Sequence, residues 1–312
     1  MLGYWYFIGI IVTGGVSSVS MVLGIDGGGT SCRAALATAD GQIIGRAKSG
    51  AANIRTDLTG ARQSIVEAAR LAFLDAGKDP AMMSQTPAVL GLAGSNVGTY
   101  RQQLEAILPF QRNVVKSDAL IALEGAVGTG DGAIAVLGTG TVYMARRDGE
   151  ARSVGGWGFL VGDQGSGARV GRDLLEEALL GYDGIDEASE MTRAVLAVFR
   201  NEPRDVVEFT TTAKPGDFGG FAPMVFEHAA KGDPVAEKIL RRAVYFIEAS
   251  LGVLDLRAGD PLCLLGGLAE LYAPRLSDGF RAQLRPALKD ALGGAVQMAV
   301  RLFASDKAAG NG

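Results

Sequence analysis

The chain has one histidine and two cysteines in 312 residues, and no excess of basic charge. Each scarcity removes a class of function. A zinc site draws on clustered His and Cys. His228 stands apart from both cysteines in a helix-like stretch, which leaves it a structural side chain. Cys32 and Cys263 lie far apart in apolar runs. Two isolated thiols make no disulfide framework. Free cysteines in such runs behave as small buried hydrophobes, and a reducing cytoplasmic compartment is expected. There are 30 Lys and Arg against 34 Asp and Glu, a net charge of −4. Without a basic surplus there is no general attraction to a phosphate backbone, so nucleic acid is not an expected partner. A single nucleotide is a different case, because backbone amides and a metal ion can hold one.

Long hydrophobic runs are also missing. Residues 2–12 are apolar and aromatic but stop at Thr13-Gly14-Gly15, short of the roughly 20 apolar residues a membrane span requires. No Lys or Arg precedes Arg33, so the basic start of a signal peptide is lacking. No membrane association is expected. Met21 opens the first strand-like run, and residues 1–20 are expected to form a leader outside the fold.

What is present suits a globular chain, with 48% hydrophobic and 21% charged residues. The length exceeds that of one ordinary core and favours two domains. From Met21 the pattern reads strand (22–26), glycine turn, strand (32–38), Asp40-Gly41 hairpin, strand (42–47). A helix follows, with Leu58, Ala61, Ile65, Ala68 and Ala72 at spacings of three and four. A buried strand at 88–92, a helix at 100–108 and a strand at 113–116 come next. The same order then returns: strand (133–137), glycine turn, strand (142–146), Asp148-Gly149 hairpin, strand (151–154). This repetition predicts an internal duplication in an α/β fold. Later, Asp233-Pro234 opens a long helix, and 262–265 is a buried strand ending in Gly266-Gly267. Domains are expected at 21–116 and 117–312, with the last helix free to return to the first.

Five motifs carry chemistry. Asp26-Gly27-Gly28-Gly29-Thr30 follows a buried strand. Its glycines allow close backbone approach, its amides and the Thr hydroxyl suit phosphate oxygens, and Asp26 suits Mg²⁺ held through water. It is not a P-loop, because no Gly-Lys-Ser/Thr follows. Leu137-Gly138-Thr139-Gly140-Thr141 fills the matching turn of the second repeat, so two glycine hairpins could clamp a triphosphate from both sides of a cleft. Asp118, in Lys116-Ser117-Asp118-Ala119, sits at a strand's carboxyl end, where α/β sheets expose ligand groups; a helix N-cap is the competing role. Gly155-Gly156-Trp157-Gly158 and Gly162-Asp163-Gln164-Gly165-Ser166 make a glycine-dense stretch whose tryptophan argues against a purely passive surface loop. Leu265-Gly266-Gly267-Leu268-Ala269 offers bare backbone to a flat base.

In this order the motifs resemble the N-acetylglucosamine kinase and glucosamine kinase group of the BadF/BadG/BcrA/BcrD ATPase family, within the sugar kinase, Hsp70 and actin superfamily. The resemblance spans Met21 to about Val300. It implies two actin-like (ribonuclease H-like) domains with ATP in the cleft between them. It also implies Mg²⁺ as cofactor and a homodimer. Residues 26–30 and 137–141 match the two phosphate loops, and Gly266-Gly267 the adenosine site. Asp118 matches the catalytic base for the sugar's 6-hydroxyl. Asn53, Thr139, Gly140, Trp157 and Asp163 fall where the family contacts the sugar. One position departs from the pattern: Gln164 stands where the family commonly has Glu. Two rival readings are an ATPase that activates a radical dehydratase, which would need cluster-binding thiolates, and a non-catalytic regulator with a kinase-like fold.

Overall fold

The computed structural model describes residues 19–95 and 98–304. The expectation for the leader therefore lies outside the described residues up to position 18. Val19 already packs against the first sheet's core, and the Ser20 carbonyl accepts from the Ala39 amide.

Strands β1 (Met21–Gly27), β2 (Cys32–Thr38) and β3 (Ile43–Ser49) form an antiparallel meander. Helix α1 (Leu58–Asp75) leads to β4 (Ala88–Leu92), and α2 (Tyr100–Glu105) leads to β5 (Asn113–Ser117). The sheet order is β3-β2-β1-β4-β5, with β4 parallel to β1 and β5 parallel to β4. Strand β1 is apolar on both faces because both are covered. Leu23 and Ile25 face α1 with Ala61, Ile65 and Ala68, while Val22 faces the other way. Asp57 caps α1 by accepting from the Gly60 amide, and Gly77 turns the chain away at φ 65°. Helix α2 stops at Glu105, three residues sooner than its apolar pattern predicts.

The second unit repeats this plan. Helix α3 (Asp118–Val127) precedes β6 (Gly132–Leu137), β7 (Thr141–Arg147) and β8 (Glu150–Gly155). Asp148 and Gly149 both take positive φ, the geometry of a tight hairpin turn that matches strand twist. Six helices follow: α4 (Gly167–Tyr182), α5 (Glu190–Val198), α6 (Pro203–Thr212), α7 (Pro215–Gly219), α8 (Ala222–Ala230) and α9 (Pro234–Gly252). Asp233 caps α9 through the Val235 and Ala236 amides. Strand β9 (Leu262–Leu265) then pairs parallel to β6, giving the order β8-β7-β6-β9. This reproduces the β3-β2-β1-β4 core of the first sheet, so the fold is two actin-like units. Short helices α10 (Ala269–Tyr272) and α11 (Asp278–Gln283) lead to α12 (Ala291–Phe303).

Helices α3 and α12 lie between the sheets. Ala119 and Leu123 of α3 pack on Ile134, Met144 and Cys263 of the second sheet. Leu292, Ala295 and Val296 of α12 pack with Ile121 of α3 on Val22, Ala35 and Val89 of the first sheet. The two helices touch backbone to backbone. A Cβ on Gly294 would meet the Ile121 carbonyl and the Gly125 amide, and one on Gly125 would meet the Asp290 carbonyl. Among the described residues no helix is long and apolar enough to cross a membrane.

Candidate active site

The parallel strands β1, β4 and β5 end on one edge of the first sheet, and their register aligns Asp26 with Gly91 and Gly91 with Lys116. Asp26 at the end of β1 and Asp118 just beyond β5 therefore share that edge with one strand between them. This is a lateral spacing of about 10 Å from the usual strand separation. A Cβ on Gly91 would meet the Ile121 side chain, so glycine there lets α3, which carries Asp118, close onto the strands.

Around this edge three connections are stitched together. The turn after β1 closes through the Gly28 amide on the Ser31 carbonyl (2.9 Å). The Gly28 carbonyl accepts from Ala52 (2.8 Å), and the Gly27 carbonyl from Ala93 (2.9 Å). Asn53 lies in the second connection, with Oδ1 accepting from the Arg55 amide at 3.1 Å. Ser95 ties the third to β5 through the Lys116 carbonyl. A Cβ on Gly29 would meet nothing within 4 Å, which leaves open space beside the turn for a phosphate group.

Asp118 is half-buried, and this desolvation pushes its carboxyl above the ordinary 3.8; the nearby Asp26 charge pushes the same way, and a hydrogen bond from the Ala119 amide opposes. It is not the N-cap of α3. Ser117 caps the helix by accepting from Leu120, and Asp118 is the first helical residue, with Oδ1 2.9 Å from the Ala119 amide. The capping role that competes for Asp118 in the sequence thus falls to its neighbour.

Sequence reasoning missed Arg33. It lies opposite Asp26 in the β1–β2 register. Its Nε and Nη2 donate to Asp26 Oδ2 at 3.1 and 2.5 Å, and its Nη1 donates to Asp290 Oδ2 at 2.8 Å. The seven-residue spacing across a hairpin centred on Gly29 was the available signal; Asp290 gave none, being 257 residues away. Magnesium fits here in a limited way. The described residues hold no group of three metal-ligating side chains, so the ion would rest on Asp26 and on the nucleotide's phosphates. Mg²⁺ commonly uses such a partial protein site.

The second sheet supplies the other cluster. In the 137–141 turn the Gly138 amide donates to the Gly140 carbonyl (3.0 Å). The N-terminus of α4 docks behind this turn, with Gly167 donating to the Gly138 carbonyl (2.8 Å) and Ala168 to the Thr139 carbonyl (3.4 Å). Gly266 (φ 94°) packs on the Leu137 carbonyl, which accepts from Leu268 at 3.0 Å. The expected adenosine turn and the second phosphate turn are therefore contiguous. Asp163, at φ 58°, lies under Gly140, where a Cβ would meet its carboxylate. Burial raises its pKa, against the Thr141 and Gly158 amides and the Arg169 charge. Thr141 Oγ1 donates to the Gln164 carbonyl (3.2 Å). Gln164 itself lines a small cavity with Arg169, Asp173 and Arg242. Trp157 does not anchor the 155–165 segment. Trp157 is 73% exposed, with Leu160 and Val161 exposed beside it, whereas Phe159 packs against Phe218 and Gly162 and Gly165 are buried.

Residues 26–30, Asn53 and Asp118 thus gather on the first sheet, and residues 138–141, Trp157, Asp163, Gly266 and Gly267 on the second. A larger groove of about 580 Å³, lined by Glu177, Asp186, His228, Asp233 and Lys238 among others, lies on the outer helices and contains none of them.

Two actin-like units, each presenting a glycine turn at its strand ends, define an ATP-binding protein of the actin and sugar kinase type. The BadF/BadG/BcrA/BcrD ATPase family model matches residues 23–284, and the chain belongs to that family. It is 34% identical to the glucosamine kinase GspK of Vibrio cholerae, across 89% of this chain and 95% of that protein. It is 28% identical to the N-acetyl-D-glucosamine kinase of Dictyostelium discoideum, across 81% and 86%. A solved structure from Chromobacterium violaceum, provisionally described as an N-acetylglucosamine kinase, superposes with a TM-score of 0.82 at 32% identity, covering 90% of this chain and 99% of that one.

Proposed function

We propose that the protein is an ATP-dependent amino sugar kinase that phosphorylates the 6-hydroxyl of glucosamine or N-acetylglucosamine. The observation that carries the reading is the half-buried Asp118 carboxylate just beyond β5, on the same sheet edge as Asp26 and the first glycine turn. The kinase relatives supply the substrate class.

Phosphoryl transfer depends on positioning and charge neutralisation more than on covalent chemistry by the protein. Asp118 accepts a hydrogen bond from the 6-hydroxyl. It takes that proton as the oxygen bonds to the γ-phosphorus and the bond to the β–γ bridging oxygen breaks, releasing ADP. Burial raises its pKa, which strengthens it as a base. Magnesium, when bound, neutralises the phosphates. Asp26, paired with Arg33, would hold the ion through water. The 138–141 turn and Gly266-Gly267 hold the nucleotide from the second unit, while Asn53, Thr139, Gly140, Trp157 and Asp163 hold the sugar. The units divide near Lys116, and the working form is a homodimer, which sedimentation would test; a monomer in solution would overturn it. Cleft closure keeps water from competing as acceptor.

The radical-dehydratase reading finds no support in the thiols. Cys32 and Cys263 are buried on different sheets, and burial pushes the Cys32 thiol up to about 12, the opposite of what cluster ligation needs.

The test is ADP release, measured with a coupled assay across a panel of sugars. N-acetylglucosamine or glucosamine should be turned over far better than glucose, because a site built to bond a 2-substituent leaves a buried polar group unpaired when it is missing. Equal turnover of glucose would mean a general hexokinase. No ADP with any amino sugar would overturn the proposal.

A further inference from the structure

Glu124 lies in the middle of α3 and is only 1% exposed. Its two carboxylate oxygens serve different parts of the molecule. Oε2 accepts from Nη2 of Arg146 on β7 at 2.8 Å, and Oε1 accepts from Nη1 of Arg301 on α12. Arg146, itself buried, also donates to the carbonyls of Gly128 and Gly130 where the chain leaves α3. One carboxylate therefore joins the second sheet, through β7, to the helix that packs on the first sheet.

A buried ion triad is weak evidence for stability, since apolar side chains of similar volume often serve as well. What such a group can supply is a defined register between elements. Here the register bears on the reacting groups. Glu124 is six residues beyond Asp118 on the same helix, about 9 Å along its axis. Beside it, α3 and α12 cross with no slack, Gly125 and Gly294 each lying against the other helix's backbone. The Lys289 amide donates to the Gly125 carbonyl at 2.7 Å, and Leu288 donates to Ala126 at 3.0 Å. At the N-terminus of α12, Asp290 holds Arg33, which holds Asp26. The paired helices thus carry Asp118 directly and bear on Asp26 through Arg33.

We propose that Glu124 is a positioning residue for Asp118: by holding Arg146 and Arg301 at once, it sets where α3 lies between the two sheets when the cleft closes on its substrates. The inference rests on the amino sugar kinase reading above. It concerns the closed state, so loss of Glu124 should separate binding from turnover. Each substrate still binds the open cleft, whereas on closure the 6-hydroxyl and the γ-phosphate no longer meet Asp118 in line. A displacement of about 1 Å suffices to cost about 100-fold.

The experiment uses the full chain and compares wild type with Glu124→Gln, Arg301→Met and Arg301→Lys. Binding of ATP and of the amino sugar is measured by calorimetry, folding by circular dichroism and thermal melting, and turnover by ADP release. Glu124→Gln and Arg301→Met should each lower kcat about 10- to 100-fold, with both dissociation constants within about threefold of wild type. Combining them should lower kcat little further, because both break the same link. Arg301→Lys, which keeps a cation, should recover most of the rate. A purely structural role would lower the melting temperature and leave kcat per folded molecule unchanged; that outcome overturns the inference. If Glu124→Gln does not fold, Arg301→Met decides alone, the Arg301 side chain being 43% exposed, and a kcat within twofold of wild type overturns the proposal. A wild type that turns over no amino sugar overturns the kinase reading and this inference with it. An active wild type with fully active variants overturns only this inference.

Discussion

Replacing Asp118 by Asn tests the site most directly, and the structure sharpens what to expect. The change removes the charge and the ability to take a proton while keeping the side chain's shape. Helix α3 should not notice it, because its cap is Ser117 and not Asp118. The amide oxygen can still accept from the Ala119 amide, as Oδ1 does at 2.9 Å. Loss of general base catalysis costs about 10²–10⁴ in rate, equivalent to about 3–5 kcal/mol of barrier. The effect on stability has the opposite sign. Burial, reinforced by Asp26, raises the folded-state pKa of Asp118 above 3.8, so between the unfolded and folded values the native state holds more protons. Wild-type stability from this group therefore falls as pH rises through that window. Asn escapes the penalty, so the variant should be at least as stable as wild type at neutral pH, and the difference should shrink on acidification. ADP release at saturating ATP and sugar gives kcat, calorimetry gives sugar affinity, and melts across pH give stability. A stable variant that binds both substrates and turns over at near wild-type rate would refute the assignment of the base and redirect it to Asp163.

Three further outcomes follow from the same geometry. Asp26→Ala should cripple use of Mg²⁺-ATP and leave sugar affinity nearly unchanged; normal ATP kinetics would reduce Asp26 to an ion-pair partner of Arg33. The acidic limb of kcat/KM in the wild type should lie above the ordinary aspartate value of 3.8, rising with pH as Asp118 ionises. It should persist in Asp163→Asn, and its loss there would assign the limb to Asp163. Gly294→Ala should destabilise the fold by about 1–3 kcal/mol, the usual cost of overpacking, because the added methyl meets the Ile121 carbonyl and the Gly125 amide; an unchanged denaturant midpoint would show that the helices can part at no cost.

Much of this protein is written locally. The strand runs, the two Asp-Gly hairpins, the stripe on α1 and the Asp233-Pro234 start of α9 depend on side-chain period, positive φ and capping, all of which act over a few residues. The duplication was legible for the same reason, since each repeat carries its turn chemistry with it. Asp26 and Asp118 could be nominated because each ends an apolar strand. Position alone misjudged what those residues touch. Ser117 took the cap because, in the folded backbone, its hydroxyl reaches the Leu120 amide. Trp157 is exposed while Phe159, two residues on, packs against Phe218, and no count of glycines reports which of the two turns inward. The ion pairs Asp26–Arg33–Asp290 and Arg146–Glu124–Arg301 join residues up to 257 positions apart. They exist because α12 returns to the first sheet and crosses α3 at paired glycines. Such contacts are set by how whole elements dock, and they decide which charges meet in the site; the periodicities of the chain decide only that the elements form.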